Sequence, residues 1–297
     1  MPKRINKCIE LLEQGQPFYA SHPSELSYEA GLKDSQTWAD MLLMDFEHHP
    51  FDTVGLTEYM RGLKDGGPTP SGHLTPTVLS TLPSNAINAE EVRYNAWQAR
   101  HVLTAGIHGI LHTHTRSPES VKAFVQITRY PFQKIKRDVI GEGLRGAGGQ
   151  RPANEIWGLT PAQYAKAADP WPLNPDGELL LGLKIEDRHC LTSVDQIAAV
   201  PGIGFAEWGP GDMGMSFDEP DAHDPPYPEV MNQARDTIKA ALDKHGVGFY
   251  SSWADDNMTM EERIDYSIDV LGVKMMGAGS REWAEYGRKK TGRTMPV

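Results

Sequence analysis

Two acids stand where buried strands give way to loops: Glu186 in LKIEDRHC (183–190) and Asp212 in EWGPGDMG (207–214). Lys184 and Glu186 are two residues apart, so they share one face of their strand. In WGPGD a Gly-Pro-Gly turn stops the strand and delivers Asp212 directly after it. Two carboxylates presented this way suit a hard divalent cation that keeps positions open for water and substrate. The bland alternative is a pair of surface acids beside loops, which is common for any single Glu or Asp.

Other residues could join them. MDFEHHPFD (44–52) puts Asp45, Glu47 and His48 at another strand end. Histidine is the usual proton-transfer group near neutral pH, and a neighbouring carboxylate fixes its tautomer. A structural histidine at a strand end fits the same residues, and His49 reads as a solvated neighbour. GLRGAGG (143–149) sets Arg145 in a glycine-rich loop, where it could meet an anionic substrate or hold the loop through backbone carbonyls. His112 and His114 have a spacing that fits a metal, but their segment offers no nearby acid, so they are read as polar pocket lining. Trp157, Trp171 and Trp208 could line a pocket, with core packing the default. Arg93, Arg100 and Arg116 read as solvated.

Something must hold these groups in place. Short apolar runs at 18–20, 41–44, 77–79, 109–111, 180–185, 205–208, 247–250 and 273–276 alternate with helical periodicity. The helices expected between them include 53–63, 92–104 and one after Pro228 carrying Val230, Ala234, Ile238, Ala241 and Leu242 on one stripe. Eight strands alternating with helices predict parallel pairing and a single-domain (β/α)8 TIM barrel over 1–297. An open doubly wound sheet is the alternative, and no glycine-rich dinucleotide fingerprint supports it. Two stretches break the alternation. Residues 64–76 read as a long loop before the third strand, and 139–178 as an active-site covering loop with a short helix near 160–168.

Bulk composition narrows the partners. The 297 residues are 39% hydrophobic and 23% charged, with a formal net charge of −11. No basic run could track a phosphate backbone, so nucleic acid is excluded as a partner. Two cysteines, Cys8 and Cys190, make no disulfide framework, and no signal peptide or long apolar span is evident. The expectation is a bacterial cytoplasmic protein with no membrane partner.

Together these blocks resemble the HpcH/HpaI aldolases, metal-dependent pyruvate aldolases of the phosphoenolpyruvate/pyruvate barrel superfamily. MDFEHHPFD is similar to the family's strand-end D-x-E-H, and RYPF followed by LRG to its R-Y-P-P…R-G. LKIED resembles V-Q-I-E, VPGIGFAEWGPGDM resembles V-x-G-V-D-x-x-x-x-G-P-x-D-L, and DPPYPEV resembles H-P-E-V. The resemblance implies that Glu186 and Asp212 ligate Mg2+, Mn2+ or Co2+, which chelates a 2-oxo acid and stabilises its enolate. Gly211 and Asp212 amides would hold the substrate carboxylate. His48, oriented by Asp45, would move the proton during aldol cleavage to, or addition of, an aldehyde, and Arg145 would order the covering loop. It also implies a homo-oligomer, a trimer of dimers, with the helix near 281–290 at an interface.

Three positions depart from the pattern. Ser80 or Thr81 stands where the family has Arg, Lys184 where it has Gln, and Thr104 where it has an acid supporting the histidine. Lys184 could replace the missing Arg as a cation near the enolate oxygen, or pair with Glu186 and Asp187. The departures, with the two long insertions, suggest an unusual electrophile pocket. They leave three alternatives to the aldolase: a decarboxylase, a Schiff-base lyase using Lys184, and a non-catalytic small-molecule binding descendant.

Overall fold

The computed structural model describes residues 2–277 and 280–297. Its strands are β1 (Phe18–Ser21), β2 (Met41–Met44), β3 (Thr77–Ser80), β4 (Gly109–His112), β5 (Pro170–Trp171), β6 (Leu179–Lys184), β7 (Phe205–Trp208), β8 (Gly248–Ser251) and β9 (Val273–Gly277). Every pairing is parallel, and the β4–β6 pair closes the ring begun by β1–β2 and β1–β9. The two-residue β5 lies against the start of β6, leaving eight strands in the barrel. This is the (β/α)8 architecture, with helices around a parallel barrel.

The strands are apolar on both faces because both are covered. Along β6, Leu181 and Leu183 join the helix-facing core, while Leu180 joins the barrel interior. Phe18, Met41, Leu79, Leu111, Phe205 and Met275 fill that interior, and the rings of Phe18 and Phe205 meet edge to face at 6.3 Å. Burying each such side chain contributes about 1.5–3 kcal/mol. Cys8, Ile9 and Leu11 of the helix Lys7–Glu13 plug the end where the strands begin. That helix starts at Asn6, whose side chain accepts from the amides of Cys8 and Ile9.

The same end carries a buried ion cluster. Asp40 accepts from Arg293 at 2.6 and 2.7 Å and lies 3.1 Å from Lys7 Nζ and 3.3 Å from Arg288 Nη2. Arg288 belongs to the helix Arg281–Lys290, which packs on its own barrel with Gly287 against the Tyr19 hydroxyl.

Two helix expectations need correction. The segment expected as one helix over 92–104 is two, Ala89–Tyr94 and Ala96–Thr104, because the Asn95 side chain bonds back to the Glu91 carbonyl and competes with the helix. On Glu229–His245 the buried stripe starts at Met231, and Val230 is exposed.

The larger correction concerns 139–178, which is not an active-site cover. It follows the helix Pro118–Thr128 and precedes β6, so it runs at the end where strands begin. Trp157 Nε1 donates to the Gly106 carbonyl just before β4, and its ring stacks on His108. Tyr164 Oη donates to the Leu103 carbonyl, and Glu178 accepts from the amides of Ile5 and Asn6. The 64–76 loop lies there too: His73 Nε2 is 3.3 Å from Glu10, and the Ser71 amide reaches the Val297 carbonyl. Neither insertion therefore shapes an electrophile pocket at the strand C-termini.

Candidate metal centre and active site

At the opposite end, alternation along the strands decides which side chains reach the barrel mouth. Lys184 shares the inward parity of Leu180, and Glu207 that of Phe205. The register pairs Lys184 with Glu207 and Glu207 with Tyr250, forming one polar row across β6, β7 and β8. Glu186 continues the inward face past the end of β6 and is 1% exposed. The Gly-Pro-Gly turn fits around it: a Cβ on Gly209 would stand 2.8 Å from Glu186 Oε2. Pro210 then opens the short helix Pro210–Ser216, with Asp212 in its first turn. The first amide there to find a helical acceptor is that of Met213, bonded to Gly209 O.

Four donors converge at this mouth. Glu47, His114, Glu186 and Asp212 each offer a ligand atom, and these atoms all lie within 4.8 Å of one another. Glu186 and Asp212 thus meet, as a shared cation requires. Glu47 and His114 were not assigned to the set from sequence. The segment around His114 carries no acid of its own, but Glu186 and Glu47 reach it across the barrel mouth, with Glu186 Oε1 accepting the His114 amide at 3.0 Å. His112, despite its two-residue spacing, is buried edge-on against Phe124, and burial pushes its imidazole down to about 3.

Charge is concentrated here. Lys184 Nζ lies 2.6 Å from Glu47 Oε2 and 3.8 Å from Glu186 Oε2. Burial opposes the Lys184 charge, but Glu207, Glu186 and Glu47 outweigh it and raise the ammonium above its usual range. Burial likewise raises the Glu186 carboxyl to about 8, against the fields of Lys184 and His114 and with those of Glu207 and Glu47. Glu207 is raised to about 7, by burial first and then by Glu47 and Asp212. Carboxylates crowded until protonation becomes competitive are what a divalent cation neutralises. The buried Glu47 Oε1 has no hydrogen-bond partner and faces His114 Nε2 at 3.4 Å, so the donor set fits a cation.

Beside this centre, His48 Nδ1 lies 2.9 Å from Asp45 Oδ2, which leaves Nε2 free to take or give a proton. Burial would raise the Asp45 carboxyl, but the hydrogen bonds from His48 and Thr81 hold it below its usual range. Thr81 is the pivot: its hydroxyl donates to Asp45 Oδ1 and accepts from the amides of Phe46 and Glu47. Ser80 faces outward with β3 and is fully buried. His49 is exposed, 3.5 Å from Asp45. A cavity of about 470 Å³, lined in part by Asp45, Leu26 and Phe46, opens next to this pair.

Several expected residues are elsewhere. Arg145 is buried between the rings of Tyr130 and Tyr164, at 4.7 and 5.3 Å, and donates to the Tyr164 hydroxyl. It braces the 139–178 segment at the far end, so its assignment to the catalytic group is corrected. Thr104 lies against Gly149 there, not beside His48. Trp157 and Trp208 are core, and Arg116 braces Asp187 at 2.6 Å.

Comparisons with known proteins place the chain in a family. The family model described as HpcH/HpaI aldolase/citrate lyase matches residues 86–270, which include His114, Lys184, Glu186 and Asp212. A hydroxypyruvate/pyruvate aldolase of Paraburkholderia phytofirmans is 27% identical over 70% of this chain and 68% of its own length. One from Roseobacter denitrificans is 23% identical over 93% of both. A crystal structure of an HpcH/HpaI aldolase/citrate lyase family protein from Burkholderia cenocepacia superposes with a TM-score of 0.70, covering 97% of each chain at 19% identity. With more than half its length matched by the family model, the chain belongs to the HpcH/HpaI aldolase/citrate lyase family.

Proposed function

We propose that this protein is a divalent-metal-dependent carbon–carbon lyase that cleaves or forms the bond next to a 2-oxo acid through a pyruvate-type enolate. The observation that carries this is the meeting of Glu186 and Asp212 at one point beside Glu47 and His114. The family and its relatives named as pyruvate aldolases support the same reaction. Bound by Glu186 and Asp212, Mg2+, Mn2+ or Co2+ would act as a Lewis acid on the keto and carboxylate oxygens of the substrate. The first-turn amides of Gly211 and Asp212 bind the substrate carboxylate. His48 Nε2 takes the proton from the hydroxyl of the bond being cleaved, or returns it to the aldehyde oxygen on addition, while Asp45 holds the ring. Lys184 stays an ammonium among its carboxylates and steadies negative charge developing beside them.

A Schiff-base reading of Lys184 is disfavoured, because its neighbours raise its proton affinity and an imine needs the free amine. Among the described residues no helix is long and apolar enough to cross a membrane. A cytoplasmic setting is supported by the unpaired, buried Cys8 and Cys190. The family habit supports a homo-oligomer, which sedimentation velocity measures.

The functional test is a screen of 4-hydroxy-2-oxo acids with enzyme loaded with each of the three metals, reading released pyruvate. Pyruvate release that needs added metal is the expected result. Turnover undiminished in chelator-treated protein would overturn the proposal.

A further inference from the structure

We infer that His114 is a third protein ligand of the cation, with Glu47 Oε1 completing a mixed nitrogen–oxygen set. This rests on the proposal that Glu186 and Asp212 hold a metal, and it carries a consequence of its own: the site prefers transition metals to Mg2+.

The geometry carries it in three steps. First, His114 adopts φ +49°, a left-handed conformation uncommon for a residue with a side chain, just beyond the end of β4. Such a conformation persists where surrounding structure fixes it, and it clusters at functional sites. Second, the ring lies between two carboxylates at distances too long for good hydrogen bonds: Nε2 is 3.4 Å from Glu47 Oε1 and Nδ1 is 3.6 Å from Glu186 Oε1. The Nε2–Oε1 separation of 3.4 Å is what two donors show when each sits about 2.0–2.2 Å from a shared ion, so Nε2 is the ligating nitrogen and Nδ1 is left facing Glu186. Third, the oxygen facing the ring is unpartnered although buried, while Glu47 Oε2 is already held by Lys184. One oxygen is thus anchored and the other is left for the ion.

An imidazole among carboxylates changes the preference of a site. Mg2+ favours an all-oxygen shell rich in water, whereas nitrogen donors suit Mn2+, Co2+ and later metals progressively better. His114 therefore marks this protein as one that discriminates against Mg2+.

The test is pulsed EPR of the Mn2+-loaded full-length protein, read for 14N coupling, with titration calorimetry of Mg2+ and Co2+. His114→Asn is the variant of choice, because Asn tolerates positive φ; His114→Met is the second, and circular dichroism reports their folding. The expected result is a 14N coupling in the wild type that His114→Asn loses. Co2+ affinity should fall roughly 10- to 100-fold or more, at least the loss seen when an outer-shell partner is removed, while Mg2+ affinity changes far less. Mn2+ bound stoichiometrically without nitrogen coupling, or with coupling that survives in the folded variant, overturns this inference and leaves the two-carboxylate centre standing. A wild type that binds no Mn2+ overturns both.

Discussion

Lys184 Nζ lies 2.6 Å from Glu47 Oε2, on the strand position directly paired with Glu207. One ammonium thus serves carboxylates from three strand ends, and it does so at the edge of the proposed metal centre. Replacing Lys184 by Gln removes the charge and leaves Glu47 and Glu207 facing each other. Breaking a buried pair costs about 3–5 kcal/mol, and less here because Lys184 is partly accessible. We predict a melting temperature lowered by several degrees in chelator and substantially restored by Mn2+, as the added cation takes over the lost charge. Equal destabilisation with and without metal would refute this electrostatic coupling.

Glu186→Gln and Asp212→Asn each remove one charged donor. Loss of Lewis-acid stabilisation worth several kcal/mol corresponds to a fall in kcat/KM of about 10³-fold or more. Calorimetry should show metal binding weakened in parallel. A folded Glu186→Gln variant that keeps wild-type turnover would contradict the assignment.

Asp45→Asn keeps the size of the side chain but no longer holds His48 through a carboxylate. General acid–base groups contribute about 10²–10⁴-fold. The predicted loss in kcat for Asp45→Asn falls in that range, matching His48→Ala and not multiplying with it in the double variant, because the two act as a unit. Metal affinity should be unchanged in all three. Additive losses would mean that the residues act separately.

Asp40, at the other end of the barrel, governs acid stability. Burial would raise its carboxyl, but the Arg293 hydrogen bonds and the fields of Lys7, Arg293 and Arg288 hold it well below the usual carboxylate range. The folded value is lower than the unfolded one, so the contribution is present above about pH 4 and is lost as pH falls through the folded value. Urea titrations from pH 7 to pH 3 should show wild-type stability falling at the acid end. Asp40→Asn should be less stable at neutral pH by about 3–5 kcal/mol, with a flatter acid limb. An unchanged slope would remove Asp40 from the account.

Much of the fold was legible because strands buried on both faces announce themselves as short apolar runs, and the runs at 41–44 and 205–208 coincide with β2 and β7. The parity of Lys184 and Glu186 could be read for the same reason. Applying that parity to FAEW would also have found Glu207, two residues from the inward Phe205. The place of 139–178 follows from chain order: a segment after a helix and before a strand must return to the end where strands begin, whatever its glycine content. The partnership of His114 with Glu47 is different in kind. It joins residues from two strand ends across the barrel mouth, and it depends on a positive φ that no local pattern announces.

We propose that Glu186 and Asp212 hold one cation that stabilises a 2-oxo acid enolate, and exchange of the C3 protons of pyruvate in D2O tests this without knowledge of the acceptor. Quenched samples read by proton NMR should show enzyme-dependent exchange with Mg2+, Mn2+ or Co2+, none after exhaustive chelation, and recovery when metal is restored. Exchange that continues at the same rate in metal-free protein, or in Glu186→Gln, would contradict the account.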